Sequence, residues 1–282
     1  MKTLKIYCDG GFGNRFNALV VGLLIAEVGN FKPVIMWPST NWCRSLFQSI
    51  FKNEYEVLPD RLSCLKGECN DYAFVMHFNH LNFPCPVLNP NSFNSIQSIV
   101  NYYNESNKDY FVYNNDNIPK YAFGKDLQLI VKNLIFSDTI VDSVNKFIES
   151  IGSNFIGVHL RGTDYLHKPN YDSIYKIILN NVENSYFICS DDRELEKKFT
   201  QLNNAFSYKK KKYVEKLIKD KKWRDIITDD QGMKHPFNVE RSDESVIEAM
   251  IDLLILSKSH IMKTGGSTFL ETALLIQQSN KT

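Results

Sequence analysis

Phe155-Ile156-Gly157-Val158-His159-Leu160-Arg161-Gly162-Thr163-Asp164 is the stretch that decides how this chain is read. Its apolar, β-branched first half predicts a buried strand, and the strand runs out into a polar cluster that a packed core does not need. His159, Arg161 and Asp164 leave it within six positions, and Gly162 supplies backbone freedom for a turn between them. In open α/β sheets, ligands bind beyond the carboxyl ends of strands, which is where these side chains belong. An Arg there suits a phosphate, because its planar fork keeps its charge and binds bidentately. A plainer arrangement uses the same residues, with Arg161 and Asp164 forming a local salt bridge.

Outward from this strand, both halves of the chain repeat the order strand, loop, helix, strand. In the first half, Lys5 to Cys8 predicts a strand and Asp9 to Gly13 a loop. Asn14 to Val28 predicts a helix with an apolar face through Leu19, Leu23 and Ala26. Val34 to Trp37 is the next strand, closed by Pro38. This βαβ start implies a parallel sheet. From about residue 53 to 117, Pro, Asn and short aromatic runs break the pattern into short strands and loops. A helix from Phe136 to Gly152, capped by Ser137-Asp138, divides the chain into domains 1–150 and 151–282. In the second domain, strand 155–160 precedes helices near 173–180 and 193–202, with strand 185–189 between them. Ser245-Val246-Ile247-Glu248 reads as a capping box opening an apolar helix to Ser257. A short strand at 260–263, a loop at 264–267 and a last helix capped by Thr268 complete an α/β fold.

Composition excludes several classes of function. The chain has 282 residues, 43% hydrophobic content and a net charge of +1, which supports a real core and argues against a nucleic-acid binder. No apolar run has transmembrane length, and Met1 to Tyr7 enters a strand directly rather than forming a signal peptide. The six cysteines follow no zinc spacing. Cys8 and Cys189 fall in predicted buried strands, and Cys64 and Cys69 could pair only in an oxidising compartment. The expectation is a soluble cytoplasmic protein with free thiols. Lys209 to Lys212 with Lys216, Lys219, Lys221 and Lys222 read as a solvated helix face, the alternative being peripheral contact with anionic lipid.

Several clusters could carry chemistry. Gly11-x-Gly13 after a strand begins a dinucleotide fingerprint, but Phe16 stands at the third glycine position and Trp37-Pro38 replaces the acid after the second strand. What the loop keeps is a helix N-terminus suited to an anion, with Gly13, Asn14 and Arg15 as donors, or simply a tight turn. Thr264-Gly265-Gly266-Ser267-Thr268 is the better phosphate site, combining close backbone approach, two hydroxyls and a helix dipole. Asp191-Asp192 lacks the spacing of a metal-binding Asp-x-Asp motif and reads as a helix cap, so no metal is expected. Asp252 sits inside an apolar helix, where an acid needs a partner unless that face is exposed. His77, His80, His167 and His235 form no metal set by spacing. Trp37 and Trp42 read as core packing or as platforms for an acceptor sugar.

Three of these segments, in order, resemble the fucosyltransferase superfamily, which includes α1,2-, α1,6- and protein O-fucosyltransferases. They are His159-Leu160-Arg161 with Thr163-Asp164, the Gly10-Gly11-Phe12-Gly13-Asn14-Arg15 loop, and Asp252-Leu253-Leu254-Ile255-Leu256-Ser257 with Thr264 to Phe269. The resemblance implies a GT-B arrangement, two Rossmann-like domains facing across a cleft, with the acceptor on the first and the nucleotide sugar on the second. It implies an inverting, metal-independent transfer of fucose from GDP-fucose to a glycan hydroxyl, with no cofactor beyond the donor. Arg161 and the hydroxyl loop at Gly266, Ser267 and Thr268 would hold the diphosphate. His159 and Asp252 would hold the nucleoside, Asp252 taking the two guanine donors, with Asp191 a strand-end acid near the nucleotide. The acid usually proposed as base lies further along the loop in α1,6 enzymes, where this chain has Tyr165 to Pro169 and no carboxylate. Asp164, then Asp172 and Asp9, are the substitutes. A GT-B enzyme using another nucleotide sugar, or a non-catalytic relative that binds GDP without turnover, fits the same motifs.

Overall fold

Thr3–Tyr7 (β1) lies at the centre of a parallel sheet because its residues have a buried slot on either side. Lys32–Met36 (β2) pairs with it on one side and Tyr110–Tyr113 (β5) on the other, while Glu56–Leu58 (β3) and Ala73–Val75 (β4) form the edges. The strand order is β3-β2-β1-β5-β4. The computed structural model describes residues 1–58, 93–106, 118–163, 170–228 and 237–281, together with the backbone at 73–75, 110–113 and 234–235. Cys64, Cys69, Cys85, His77, His80, Asp164 and His167 lie outside the described residues, and His235 is described in its backbone alone.

Phe12–Gly29 (α1) packs between this sheet and the helices Ile96–Glu105 (α3) and Lys125–Lys132 (α4). That sandwich explains why burial runs all round it from Arg15 through Ala26, beyond the expected face of Leu19, Leu23 and Ala26. The helix starts at Phe12 rather than Asn14, since Gly11 takes the extended cap conformation with no side chain to cap with. Trp37 is fully buried against Phe12, Phe47 and Phe51, with Phe47–Ile50 forming a short α2. A platform for an acceptor sugar is therefore excluded for Trp37, which is core. Trp42 is half-buried against Phe237.

The second unit is built on Ile156–Leu160 (β6) and Tyr186–Ser190 (β7), with His260–Met262 (β11) beside β6 and Ala205–Phe206 (β8) beside β7. All are parallel, in the order β11-β6-β7-β8. Tyr171–Asn180 (α6) and Arg193–Phe199 (α7) follow β6 and β7, and their residues Ile174, Ile178 and Phe199 join Val158, Leu160, Tyr186 and Ile188 in one apolar cluster. Asp243–Ser257 (α8) packs against β6, β7 and β11, and Thr268–Ser279 (α9) closes the chain. Ile227–Thr228 (β9) and Lys234–His235 (β10) form a small antiparallel pair.

The divide between units falls between residues 135 and 136, not at 150. Asp138–Ile151 (α5) packs on α8, so the helix expected to mark the boundary belongs to the second unit, as do residues 41–45, whereas 278–282 join the first. Two further features differ from the sequence reading. Ser242 caps α8 by accepting the Ser245 N–H, which frees Glu248 to accept from the backbone of Lys211 and Lys212. The lysine-rich stretch from 209 to 222 is irregular chain rather than a helix face.

Candidate functional site

The loops that leave β6, β7 and β11 emerge side by side, because the three strands are neighbours and parallel. Asp191, just beyond β7, reaches across to the loop after β6. Its Oδ1 accepts the Gly162 N–H at 2.6 Å, and its Oδ2 accepts the Thr163 hydroxyl at 2.6 Å and lies 3.2 Å from Arg161 Nε. Tyr171 donates its hydroxyl to the Arg161 carbonyl, fixing the loop from the other side. Burial alone would raise the Asp191 carboxyl, but Arg161, the Thr163 hydroxyl, the Gly162 N–H and His159 outweigh it and hold it below the ordinary value. Arg161 is thus paired with Asp191, and it stays partly exposed at the strand end. Asp191 holds the protein's own loop.

Gly162 is explained by close approach rather than by turning. A Cβ at this position would stand 2.2 Å from Asp192 Cβ. Asp192 itself caps α7, accepting the N–H groups of Glu194 and Leu195.

The loop after β11 is tied to the same strand. Thr264 donates its hydroxyl to the His159 carbonyl at 2.5 Å. Ser267, not Thr268, caps α9: its Oγ accepts the Leu270 N–H at 3.2 Å and lies 3.3 Å from His159 Nδ1. His159 is buried, stacked on Phe269 at 4.8 Å, and burial first, with Arg161 and Lys210 assisting against Asp191, lowers its pKa to about 4. The imidazole is therefore neutral near pH 7. The neutral imidazole presents either a donor or an acceptor at Nδ1, and the Ser267 hydroxyl can meet both while it accepts from Leu270. His159 supports the loop from beneath. Thr268 and exposed Gly266 stand at the helix N-terminus, where the first N–H groups and the dipole favour negative charge.

Asp252 is buried rather than on an exposed face. Its Oδ2 accepts from Lys210 Nζ at 2.6 Å, and Lys210 also reaches Glu196 Oε2 at 2.5 Å and the Ser190 carbonyl at 2.9 Å. The three side chains are 3–4% exposed. Tyr213 and the Ser190 N–H complete the shell of Glu196. Burial raises the Asp252 carboxyl; Lys210 opposes this and Glu196 adds to it, leaving Asp252 above the ordinary carboxylate range. Its Oδ1 is buried with no hydrogen-bond partner among the described residues. The carboxylate is enclosed, and one of its two oxygens is already paired with a cation of the protein itself. Lys210 and Glu196 escape a reading of the sequence because one lysine in a run of four cannot be told from its neighbours. The only signal was that an acid within an apolar helix requires a cation.

In the first unit, Arg15 is fully buried and turned inward. Nε donates to the Gly10 carbonyl at 2.9 Å, Nη2 donates to Thr40 Oγ1 at 3.0 Å, and the guanidinium lies 5.1 Å from the Trp37 ring. It braces the loop through Nε and Nη2, while Nη1 is buried with no hydrogen-bond partner among the described residues. Gly13 is buried in the first turn of α1, while Asn14 is partly exposed there and its side chain makes no hydrogen bond among the described residues. Of the substitute bases, Asp9 is bonded to Tyr7 and Gly10, and Asp172 is paired with Lys198, whose hydrogen bond holds its carboxyl below the ordinary value. Cys8, Cys43 and Cys189 are buried.

No protein-family model and no curated protein matches the chain. Solved structures do match, over nearly its whole length. The fucosyltransferase NodZ from Bradyrhizobium is 15% identical, with 98% of this chain and 93% of that one covered, at a TM-score of 0.59. NodZ α-1,6-fucosyltransferase co-crystallized with GDP is 16% identical, covering 98% and 92%, at 0.53. POFUT1 in complex with GDP-fucose is 13% identical, covering 98% and 94%, at 0.56. The chain has the α/β, GT-B-like fold of these fucosyltransferases. Among the described residues, no helix is long and apolar enough to cross a membrane.

Proposed function

We propose that this protein is an inverting, metal-independent fucosyltransferase that moves fucose from GDP-fucose to a glycan hydroxyl. The observation that carries the reading is the guanidinium of Arg161, held by Asp191 at the end of β6 beside the N-terminus of α9. A transferase of this kind must stabilise charge that builds on the leaving diphosphate. A preorganised guanidinium and the N–H groups of a helix N-terminus supply that without a cation. The neighbours in the same fold that were crystallised with GDP or GDP-fucose support the choice of donor.

In this reading the acceptor oxygen forms a bond to the anomeric carbon as the bond from that carbon to the β-phosphate oxygen breaks. The electron pair leaves with GDP, and the acceptor proton passes to a carboxylate, for which Asp164 is the candidate. Arg161 and Thr268 bind the departing phosphate. His159 and Ser267 position the loop that carries it, and Gly13 and Asn14 in the first unit are assigned to the acceptor side. The test is release of GDP from GDP-fucose in the presence of EDTA, measured beside UDP- and CDP-sugars. Turnover of GDP-fucose alone supports the assignment, and preference for another donor replaces it.

A further inference from the structure

Between residues 209 and 226 the chain carries nine lysines and arginines against three acids, although its net charge is only +1. Lys210 is buried in the ion triad, so the remaining eight cations belong to the outer part of this segment. The same stretch exposes apolar side chains: Ile226 is 73% exposed and Ile218 39%. Isoleucines left in water among lysines are costly for a surface that meets only solvent.

This surface is built, not loose. Asn238, completely buried, accepts the Ile218 N–H at 2.8 Å, donates to the Ile218 carbonyl at 2.8 Å, and gives its own N–H to the Trp223 carbonyl at 2.9 Å. Two successive tight turns result, Lys221 N–H returning to the Ile218 carbonyl and Asp225 N–H to the Lys222 carbonyl. Asp225 is occupied in the second turn by the Lys222 N–H. Trp223 is half-buried, with Lys216 Nζ 5.5 Å from its ring. Lys219, Lys221, Lys222 and Arg224 are exposed around these turns.

We propose that the two turns at 218–225, with Ile226, dock on an anionic lipid surface. Lysine is a hydrated point charge suited to a diffuse layer of headgroups, whereas recognition of nucleic-acid phosphates and bases favours the arginine fork, which occurs here once. Acyl chains beneath the headgroup charge give the exposed isoleucines apolar surroundings, as for an interfacial segment. The proposal is independent of the transfer reaction.

The test is co-sedimentation of the purified chain with vesicles of phosphatidylcholine alone and of phosphatidylcholine with roughly 30% phosphatidylglycerol. The chain should sediment with the anionic vesicles only, and salt should release it. Lys219→Glu combined with Lys221→Glu and Lys222→Glu should weaken partitioning at least about tenfold. Ile226→Ser should weaken it while leaving every charge in place. All four positions are exposed, so the melting temperatures should match wild type. Absence of sedimentation with anionic vesicles, equal sedimentation of the triple variant, or tighter binding to single-stranded RNA than to these vesicles would overturn the proposal.

Discussion

Arg161 Nε lies 3.2 Å from Asp191 Oδ2, across the carboxyl ends of two adjacent parallel strands. The same carboxylate holds the Gly162 N–H and the Thr163 hydroxyl, so one buried side chain sets both the path of the loop and the direction of the guanidinium. A flexible arginine would lose rotamer freedom on meeting a phosphate. This one has already been ordered by folding.

Asp191→Asn should therefore act through Arg161. It keeps an acceptor for the backbone but removes the charge that orients the guanidinium. Turnover of GDP-fucose should fall by about tenfold or more, and Asp191→Ala should in addition destabilise the fold by about 2 kcal/mol, since it strands buried donors. Steady-state kinetics paired with denaturation midpoints on both variants check this. Unchanged turnover in Asp191→Asn would show that the orientation of Arg161 does not depend on the ion pair.

The triad makes the opposite prediction for nucleotide binding. Asp252→Asn should leave GDP affinity and the preference for GDP over UDP unchanged, because its carboxylate is enclosed by Lys210. Lys210→Met should destabilise the protein by about 3–5 kcal/mol, as it leaves Glu196 and Asp252 buried together without their cation. Calorimetric titration of the first variant and urea denaturation of the second separate the roles. Loss of guanine preference in Asp252→Asn would restore the base contact.

His159 gives the stability a definite pH slope. Its folded pKa of about 4 lies below the ordinary value of 6.5, so the unfolded chain binds the proton more readily. Its contribution is present above pH 6.5 and is lost as pH falls towards 4. By linkage the loss amounts to about 3 kcal/mol at most. His159→Asn removes this titration, so the stability difference between wild type and variant should shrink between pH 7 and pH 4.5. A difference that stays constant over that range would mean that the imidazole is not held neutral.

The strand 156–160, the helix-opening glycine loop at Gly10 to Gly13 and the parallel βαβ order are legible in the sequence, because each rests on local periodicity and turn chemistry. The pairing of Arg161 with Asp191 is not, since the partners lie thirty positions apart and Asp164 is a nearer acid. Ser267 and Thr268 are adjacent hydroxyls, and only the position of the Leu270 N–H shows which of them caps. Arg15 reads as a donor at a helix N-terminus, yet its guanidinium is turned inward to the Gly10 carbonyl and Thr40, beside the Trp37 ring. Lys210 is hidden within its own run, and three-dimensional burial alone distinguishes it from Lys209, Lys211 and Lys212.

The central claim is that the Arg161 strand end holds the diphosphate of GDP-fucose. Its most direct test is calorimetric titration of GDP in EDTA into wild type and Arg161→Ala, with the melting midpoint of each protein recorded. Wild type should bind saturably, and the variant should bind at least about tenfold more weakly at an unchanged midpoint. Its kcat with GDP-fucose should fall by roughly 10²–10³. No saturable binding of GDP to wild type, or equal binding by Arg161→Ala, would contradict the account.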